Sequence, residues 1–230
     1  MHRQFEEELE EIKGSVLRMA GLVEKALDDA ARALVNRDSQ LAQSVIDLDD
    51  AIDRHEVELD RLTTEFIARH QPMAGDLRFV VAAIKLGPEL ERIADNAVNI
   101  AQRTLHLNLR PMVKPLVDLP RMLAVARAMV SDSIAAYVAR DAAAARAIIP
   151  RDDEVDSLNW QVFRELLTHM MEKPDVISTA IDLILVARFA ERIADQATNI
   201  CEQVVYLVDG VPICHAKDPQ RPARPRCLDY

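Results

Sequence analysis

Residues 91–100 read Glu-Arg-Ile-Ala-Asp-Asn-Ala-Val-Asn-Ile, and residues 191–200 read Glu-Arg-Ile-Ala-Asp-Gln-Ala-Thr-Asn-Ile. Eight of these ten positions are identical. A stretch that recurs after one hundred residues indicates an internal duplication, because each copy of a repeat forms the same structural unit. The sequence therefore predicts two similar halves joined in one chain.

The repeated stretch combines a polar row with an apolar stripe. On a helix, Glu91, Asp95 and Asn99 lie one turn apart and form a row along one side. The second copy places Glu191, Asp195 and Asn199 in the same way. Two carboxylates one turn apart repel each other unless a cation lies between them. Because this repulsion occurs twice, beside apolar residues, it is the main indication of function.

Composition favours an all-α protein and argues against nucleic-acid binding. Half of the 230 residues are apolar, only 4% are aromatic, and there are five glycines. Runs of Ala, Leu, Glu and Arg favour helix, and no alternating strand pattern is present. The net charge is −10, and in the helical part no cluster of Lys and Arg stands clear of acidic residues, as a nucleic-acid surface would require.

The sequence indicates a cytoplasmic protein without direct membrane insertion. The acidic start, residues 2–8, lacks the apolar region of a signal peptide. The longest apolar runs, residues 79–84 and 181–187, are too short to cross a bilayer. Three cysteines without a CxxC pair do not form a disulfide framework.

Helical periodicity predicts three helices in each half. In the first half, the first helix covers residues 5–36, and the second is capped by Asp38 or Ser39 and runs to about His70. The third begins near Asp76 and is interrupted at Gly87-Pro88. The second half repeats the scheme, with echoes at an offset of 103 around Asp141 and Asp152. We therefore predict two tandem repeat three-helix bundles with six long helices, at residues 1–110 and 116–210. Residues 211–230, rich in Pro and Arg, are predicted to be a disordered tail, in which Cys214, His215 and Cys227 match no zinc-site spacing.

Each half contains two acidic pairs that could form one carboxylate cluster. The pairs are Asp49/Asp53 with Glu91/Asp95 in the first half, and Asp152/Asp156 with Glu191/Asp195 in the second. If consecutive helices are antiparallel neighbours, the two pairs of each half converge and offer hard oxygen ligands to a metal ion. Asn99 and Asn199 could add amide oxygens, and Asp29 and Asp132 could complete the clusters. The alternative is that the acids pair with Arg92 and Arg192 or lie in solvent.

Residues for catalysis are not evident. The sequence lacks a Gly-rich phosphate loop, a GxSxG motif and an HExxH motif, and its six histidines are scattered. The Glu-x-x-His motifs of a di-iron enzyme are also missing. The chain is therefore predicted not to be an enzyme. The alternative is a metal store or a metal-dependent enzyme that uses the repeated carboxylates.

The chain resembles the PhoU family of bacterial phosphate-signalling regulators. The resemblance is carried by both copies of Glu-Arg-Ile-Ala-Asp, by Gln-Pro-Met-Ala-Gly-Asp-Leu-Arg at residues 71–78, and by Asn-Ile-Cys-Glu at residues 199–202. It covers about residues 5–210. Ala94 and Ala194 stand where many members carry glycine, and the Pro/Arg tail lies outside the family pattern.

The resemblance implies a cytoplasmic negative regulator of phosphate uptake and of the phosphate-starvation response. It implies an adapter that links the ATPase subunit of the phosphate ABC transporter to a phosphate-sensing histidine kinase, in a protein that is often a homodimer. It also implies iron or zinc clusters bound through the E/D-x-x-x-D pairs, as in some members of the family. Hard oxygen ligands of this kind would suit manganese as well. The ligands would be Asp49, Asp53, Glu91, Asp95, Asp152, Asp156, Glu191 and Asp195.

Overall fold

The computed structural model describes residues 2–211 and residue 213, and within this part of the chain all regular structure is helical. The helices are α1 (His2–Asn36), α2 (Ser39–His70), α3 (Ala74–Asn108), α4 (Asp118–Ala139), α5 (Ala142–Ile148), α6 (Asp152–Glu172) and α7 (Ile177–Asp209). Six of these seven helices are long, which confirms the predicted all-α fold of two repeated three-helix units. The predicted tail, with Cys214, His215 and Cys227, lies outside the described residues apart from its first positions.

Matching caps begin the second helical segment of both repeats. The side chain of Asp38 accepts hydrogen bonds from the backbone N–H groups of Gln40 and Leu41, and Asp141 does the same for α5. The residue before each cap, Arg37 or Arg140, has a positive φ of 55° or 52°. Such caps satisfy backbone donors that the helix leaves unpaired, and their offset of 103 residues follows the predicted duplication.

Proline divides the middle segment of the second repeat but not α3. A 3₁₀ turn, Ile149–Arg151, contains Pro150 and separates α5 from α6, whereas the equivalent α2 is a single helix of 32 residues. In contrast, α3 runs unbroken through Pro88, so the predicted interruption at Gly87-Pro88 was wrong. Pro88 has no N–H, and the carbonyl of Ile84 therefore lacks its intrahelical donor.

The two repeats share one core along the contact between α3 and α7. Both helices pack their apolar stripes inward, and Ile93, Ala97, Ile193 and Ala197 are completely buried. Polar contacts also cross between the repeats, as Arg103 and Arg110 both pair with the buried Asp182 of α7. The two repeats are consequently packed as one body.

One described helix, α4, is long and apolar enough to cross a membrane by length and composition alone. It uses its apolar residues in the core instead. Met122, Met129 and Tyr137 are completely buried, and α4 packs against α7 and α1. Half of its most apolar window is buried inside the protein, as expected for a core helix.

Candidate metal centre

The first carboxylate cluster joins α2 to α3. Burial raises the pKa of Asp49, and the negative charges of Asp53 and Asp95 raise it further. Burial likewise raises the pKa of Glu91 to about 7, and the charge of Asp95 is the next cause. The four acids that the sequence pairs across these helices therefore lie close enough to repel one another.

Glu56 belongs to the same cluster, although the sequence analysis did not single it out. Burial raises its pKa, and so do the charges of Asp53 and Asp60. Its own charge contributes to the raised pKa of Glu91. Its position three residues after Asp53 places it on the same side of α2. This spacing is the feature of the sequence from which Glu56 could have been identified.

The second cluster joins α6 to α7 and is more deeply buried. Burial raises the pKa of Glu191, and the charges of Asp195 and Asp156 raise it further. Oε1 of Glu191 accepts a hydrogen bond from Arg188 at 3.2 Å, whereas its Oε2 is buried and accepts none. Asp152, in the first turn of α6, is completely buried. A buried carboxylate oxygen without a donor is costly, and a cation would remove that cost.

Neighbouring polar residues have partners outside the clusters. Asp29 accepts hydrogen bonds from Lys25 at 2.7 Å and from Arg32 at 3.4 Å. Asp132 accepts a hydrogen bond from Arg151, and the amide of Asn199 donates to Glu89 of α3 at 3.1 Å. The roles suggested for Asp29, Asp132 and Asn199 in completing the clusters stay predictions beside these contacts.

Arg92, which the alternative interpretation paired with the signature acids, affects Glu91 less than the neighbouring acids do. Its Nη1 donates to Glu89 at 2.9 Å. Its charge lowers the pKa of Glu91, but this effect is smaller than those of burial and of three neighbouring acids. The first cluster therefore keeps an excess of negative charge.

The donor chemistry fits a hard or borderline metal cation. Each cluster offers carboxylate oxygens only, and the second offers a buried oxygen that has no hydrogen bond. Within residues 2–211, no three His, Cys, Asp or Glu side chains are arranged around one point in a way that would hold an ion. Metal binding by the eight predicted residues therefore stays a prediction, which the fit of the donors supports.

Comparison with known proteins gives consistent results along the chain. A family model described as the PhoU domain matches twice, at residues 16–104 and 119–204. A relative from Aquifex aeolicus, named phosphate-specific transport system accessory protein PhoU homolog, is 42% identical over 208 residues, which cover 90% of this chain and 94% of the relative. A relative of the same name from Pseudomonas aeruginosa is 38% identical over 93% of this chain and 88% of its own length.

Two solved structures share the fold. The crystal structure of PhoU from Pseudomonas aeruginosa has a TM-score of 0.87 and 38% sequence identity, and the match covers 90% of this chain and all of that one. The phosphate transport system regulatory protein PhoU from Streptococcus pneumoniae has a TM-score of 0.84 at 27% identity, with 91% of this chain and 99% of that chain covered.

Proposed function

This chain belongs to the PhoU family, and from that premise we propose that it restrains phosphate uptake and the phosphate-starvation response when phosphate is plentiful. It acts in the cytoplasm as an adapter between the ATPase subunit of the phosphate ABC transporter and a phosphate-sensing histidine kinase. The names of its relatives, an accessory protein and a regulatory protein of phosphate transport, support this role.

The observation that carries the proposal is an exposed apolar stripe on α6, here called the α6 face. It consists of Trp160, Phe163, Leu167 and Met171, whose exposed fractions range from 38% to 79%. Ile177 and Ile181 at the start of α7 are also exposed. Soluble proteins rarely expose contiguous apolar surface of this kind unless a partner covers it. The spacing of three or four residues suits a helix of the partner protein.

The first repeat does not present the same surface. At the offset of 103, the positions of the α6 face correspond to Val57, Asp60, Thr64 and Ala68 on α2. These residues are small, polar or acidic, apart from Val57. The two repeats thus offer chemically different faces on one scaffold, as an adapter for two different partners requires.

We propose that iron, zinc or manganese ions occupy the two carboxylate clusters. Asp49, Asp53, Glu91 and Asp95 would hold metal between α2 and α3. Asp152, Asp156, Glu191 and Asp195 would hold it between α6 and α7. A bound cation would supply positive charge against the repulsion of these acids, and so would stabilise each helix pair. Because α6 carries the apolar face, metal in the second cluster would also fix the surface that meets the partner.

A deletion strain tests the regulatory function. Without the gene, phosphate-starvation genes should be expressed in high-phosphate medium, and the wild-type gene should restore repression. Purified protein should also bind the transporter ATPase subunit or the kinase. If repression stayed normal in the deletion strain and the protein bound neither partner, the adapter proposal would be wrong. Turnover of a phosphate ester or of Fe²⁺ by the metal-loaded protein would then favour the alternative of a metal-dependent enzyme.

A further inference from the structure

The linker between α3 and α4, residues 109–117, turns its cations toward the protein. Arg110 lies 3.1 Å from Asp182, whose side chain is only 9% exposed. Lys114 is itself only 11% exposed and pairs with Glu165 of α6. Lysine is among the residues that are least often buried, so this orientation is unusual for a surface loop.

The apolar side chains of the same linker face outward. Leu109 is 85% exposed, Met112 54% and Val117 68%. A loop ordinarily places its charges in water and its large apolar side chains against the core. Since this linker has the inverse arrangement, it indicates that the surface beyond it is covered by apolar material.

Hydrogen bonding and packing fix the linker against the end of α1. Arg37, which follows α1, donates to the carbonyl of Arg110 at 2.6 Å. Leu34 of α1 and Met112 of the linker line the same cavity. Val35 therefore lies beside the linker, and its side chain is 50% exposed. We call the exposed side chains of Val35, Leu109, Met112 and Val117 the linker patch.

The segment that carries most of the linker patch lacks negative charge. Residues 96–117 contain no Asp or Glu, although the chain has 38 of them. Arg103 and Arg110 share one carboxylate, that of Asp182. These three side chains consequently keep an excess of positive charge beside the patch.

The two ends of the molecule differ in charge. At the helix ends around the linker, Asp118, Glu172 and Asp175 are nearly balanced by Arg121 and Lys173. At the opposite end, α1 carries five glutamates within residues 6–11, and Glu8 lies 2.9 Å from His70 at the end of α2. In a chain with a net charge of −10, an anionic surface therefore repels the linker end least and orients it inward.

We propose that the linker patch docks on the surface of a phospholipid bilayer that contains anionic lipid. Leu109, Met112 and Val117 enter the headgroup region, while Arg110 keeps its contact with Asp182. The contact is peripheral, because only a loop touches the bilayer and α4, which follows it, is packed in the core. The α6 face, on the side of a helix, stays available for a protein partner.

The form of the linker patch favours a bilayer over a protein partner. Its side chains come from a loop and from the end of α1, and they lack the spacing of three or four residues by which the α6 face suits a partner helix. A protein partner would need a complementary cavity for each of these side chains. A fluid lipid interface accepts separate apolar side chains without such cavities.

An environment-sensitive fluorescent amino acid at position 112 of the full chain tests the proposal. Its emission should shift to shorter wavelength when vesicles of phosphatidylcholine and phosphatidylglycerol are added. Vesicles of phosphatidylcholine alone should give a smaller shift, because they lack anionic lipid. The matched control carries the same group in place of Met73, which is 81% exposed and lies between α2 and α3 at the opposite end. Its emission should not shift.

Substitutions in the linker patch establish the cause of the contact. Leu109→Glu together with Met112→Glu should lower the fraction of protein that sediments with the anionic vesicles by at least about tenfold, because the new carboxylates would enter an apolar and anionic layer. Leu109→Ile with Met112→Leu should keep most of the binding. Met73→Glu is the matched control and should bind normally. All three variants should melt within a few degrees of wild type, since the replaced side chains are exposed.

Three outcomes would overturn the proposal. One is emission at position 112 that vesicles leave unchanged, and another is an equal shift at positions 73 and 112. The third is a shift at position 112 that appears only with the ATPase subunit or the kinase cytoplasmic region, which would mean that a protein covers the patch. The vesicles contain no protein, so their result is independent of the regulatory function, which the deletion strain tests separately.

Discussion

Asn96 donates a hydrogen bond to Gln196, with 3.3 Å between Nδ2 and Oε1, although the two residues hold the same position in the two repeats. Glu89 lies against Asn199 and Arg78 against Leu207, so α3 and α7 run antiparallel. A contact between equivalent residues of two antiparallel helices places a local two-fold axis between them. Antiparallel α3 and α7 therefore cross near the middle of both signature stretches, and the residues around this crossing link the two halves.

Overfilling this region should destabilise the whole protein. Ala97 and Ala197, which follow the hydrogen-bonded pair, are completely buried. Replacing Ala97 by Leu adds three carbon atoms where the packing leaves no space, and should lower the free energy of unfolding by about 1–3 kcal/mol. The exposed Ala68→Leu on α2 is the control and should change it little. Urea denaturation followed by circular dichroism measures both.

Asp182 should contribute more to stability than a surface ion pair does. Its side chain is 9% exposed and lies 3.3 Å from Arg103 and 3.1 Å from Arg110. Asp182→Ala leaves two guanidinium groups without their carboxylate and should cost about 3 kcal/mol of unfolding free energy. Glu58→Ala removes the exposed pair with Arg61 and should change the unfolding free energy much less, because solvent screens this pair. Equal costs for both changes would contradict a buried role for Asp182.

Glu91 should make the stability of metal-free protein depend on pH. Its pKa is raised from 4.5 to about 7, so the folded state holds this proton more tightly than the unfolded chain does. The resulting penalty is absent below pH 4.5, grows as the pH rises, and is complete above pH 7. Glu91→Gln removes it. At pH 8 the variant should be more stable than wild type by about 1 kcal/mol, allowing for solvent screening, and the difference should vanish at pH 4.

Metal should reverse the effect of that substitution. If a cation binds the first cluster, Glu91→Gln loses a ligand and should lower the melting temperature of Mn²⁺-saturated protein relative to wild type. Thermal unfolding at pH 8, with and without Mn²⁺, gives both comparisons in one experiment. An identical response of wild type and variant to Mn²⁺ would argue against Glu91 as a ligand.

The two clusters should load independently. Asp95→Ala should empty the first cluster and leave the second filled, so that elemental analysis finds about half of the wild-type metal content. Asp195→Ala is the matched variant in the second repeat. Wild-type protein prepared without chelator that contained no metal would refute the metal proposal altogether.

The α6 face should be required for partner binding but not for folding. Leu167 is 42% exposed, so Leu167→Glu should leave the melting temperature within a few degrees of wild type. The charge should nevertheless weaken binding to the partner by at least about tenfold, because it would be buried in an apolar interface. Thr64→Glu, at the equivalent position of α2, should bind normally. Calorimetric titration with the ATPase subunit or the kinase cytoplasmic region measures the difference. If the α6 face instead binds a second copy of the chain, sedimentation should find wild type as a dimer and Leu167→Glu as a monomer.

Much of this fold could be predicted because the repeat is explicit in the residues. Apolar spacing located six helices, and the matching Asp38 and Asp141 caps marked the same boundary in both halves. Whether a helix breaks at a proline is harder to predict from sequence, since this depends on tertiary packing. Pro150 coincides with a break between α5 and α6, whereas α3 retains its path through Pro88, where the neighbouring Leu86, Gly87 and Leu90 are buried.

The acidic pairs of the candidate site could be predicted from the sequence, but the contacts that surround them could not. Spacing of four residues identified the pairs on α2, α3, α6 and α7, because side chains one turn apart share a helix face. Contacts between different helices cannot be derived from such spacing. The hydrogen bond of Asn199 on α7 to Glu89 on α3 depends on how these two helices are rotated against each other. Glu56 and the pairing of Lys25 with Asp29, in contrast, follow the helical spacing of three or four residues within α2 and α1.

The local axis between Asn96 and Gln196 has a further consequence for surface evolution. Two identical chains related by such an axis would form an isologous dimer, and every change on one outer face would appear on the other. Covalent fusion of the copies removes that constraint. Phe163 could then diverge from Asp60, and Leu167 from Thr64, while the inner helices kept their matching sequence. A tandem arrangement of this kind retains the packing of a symmetric pair and lets each outer face be selected separately.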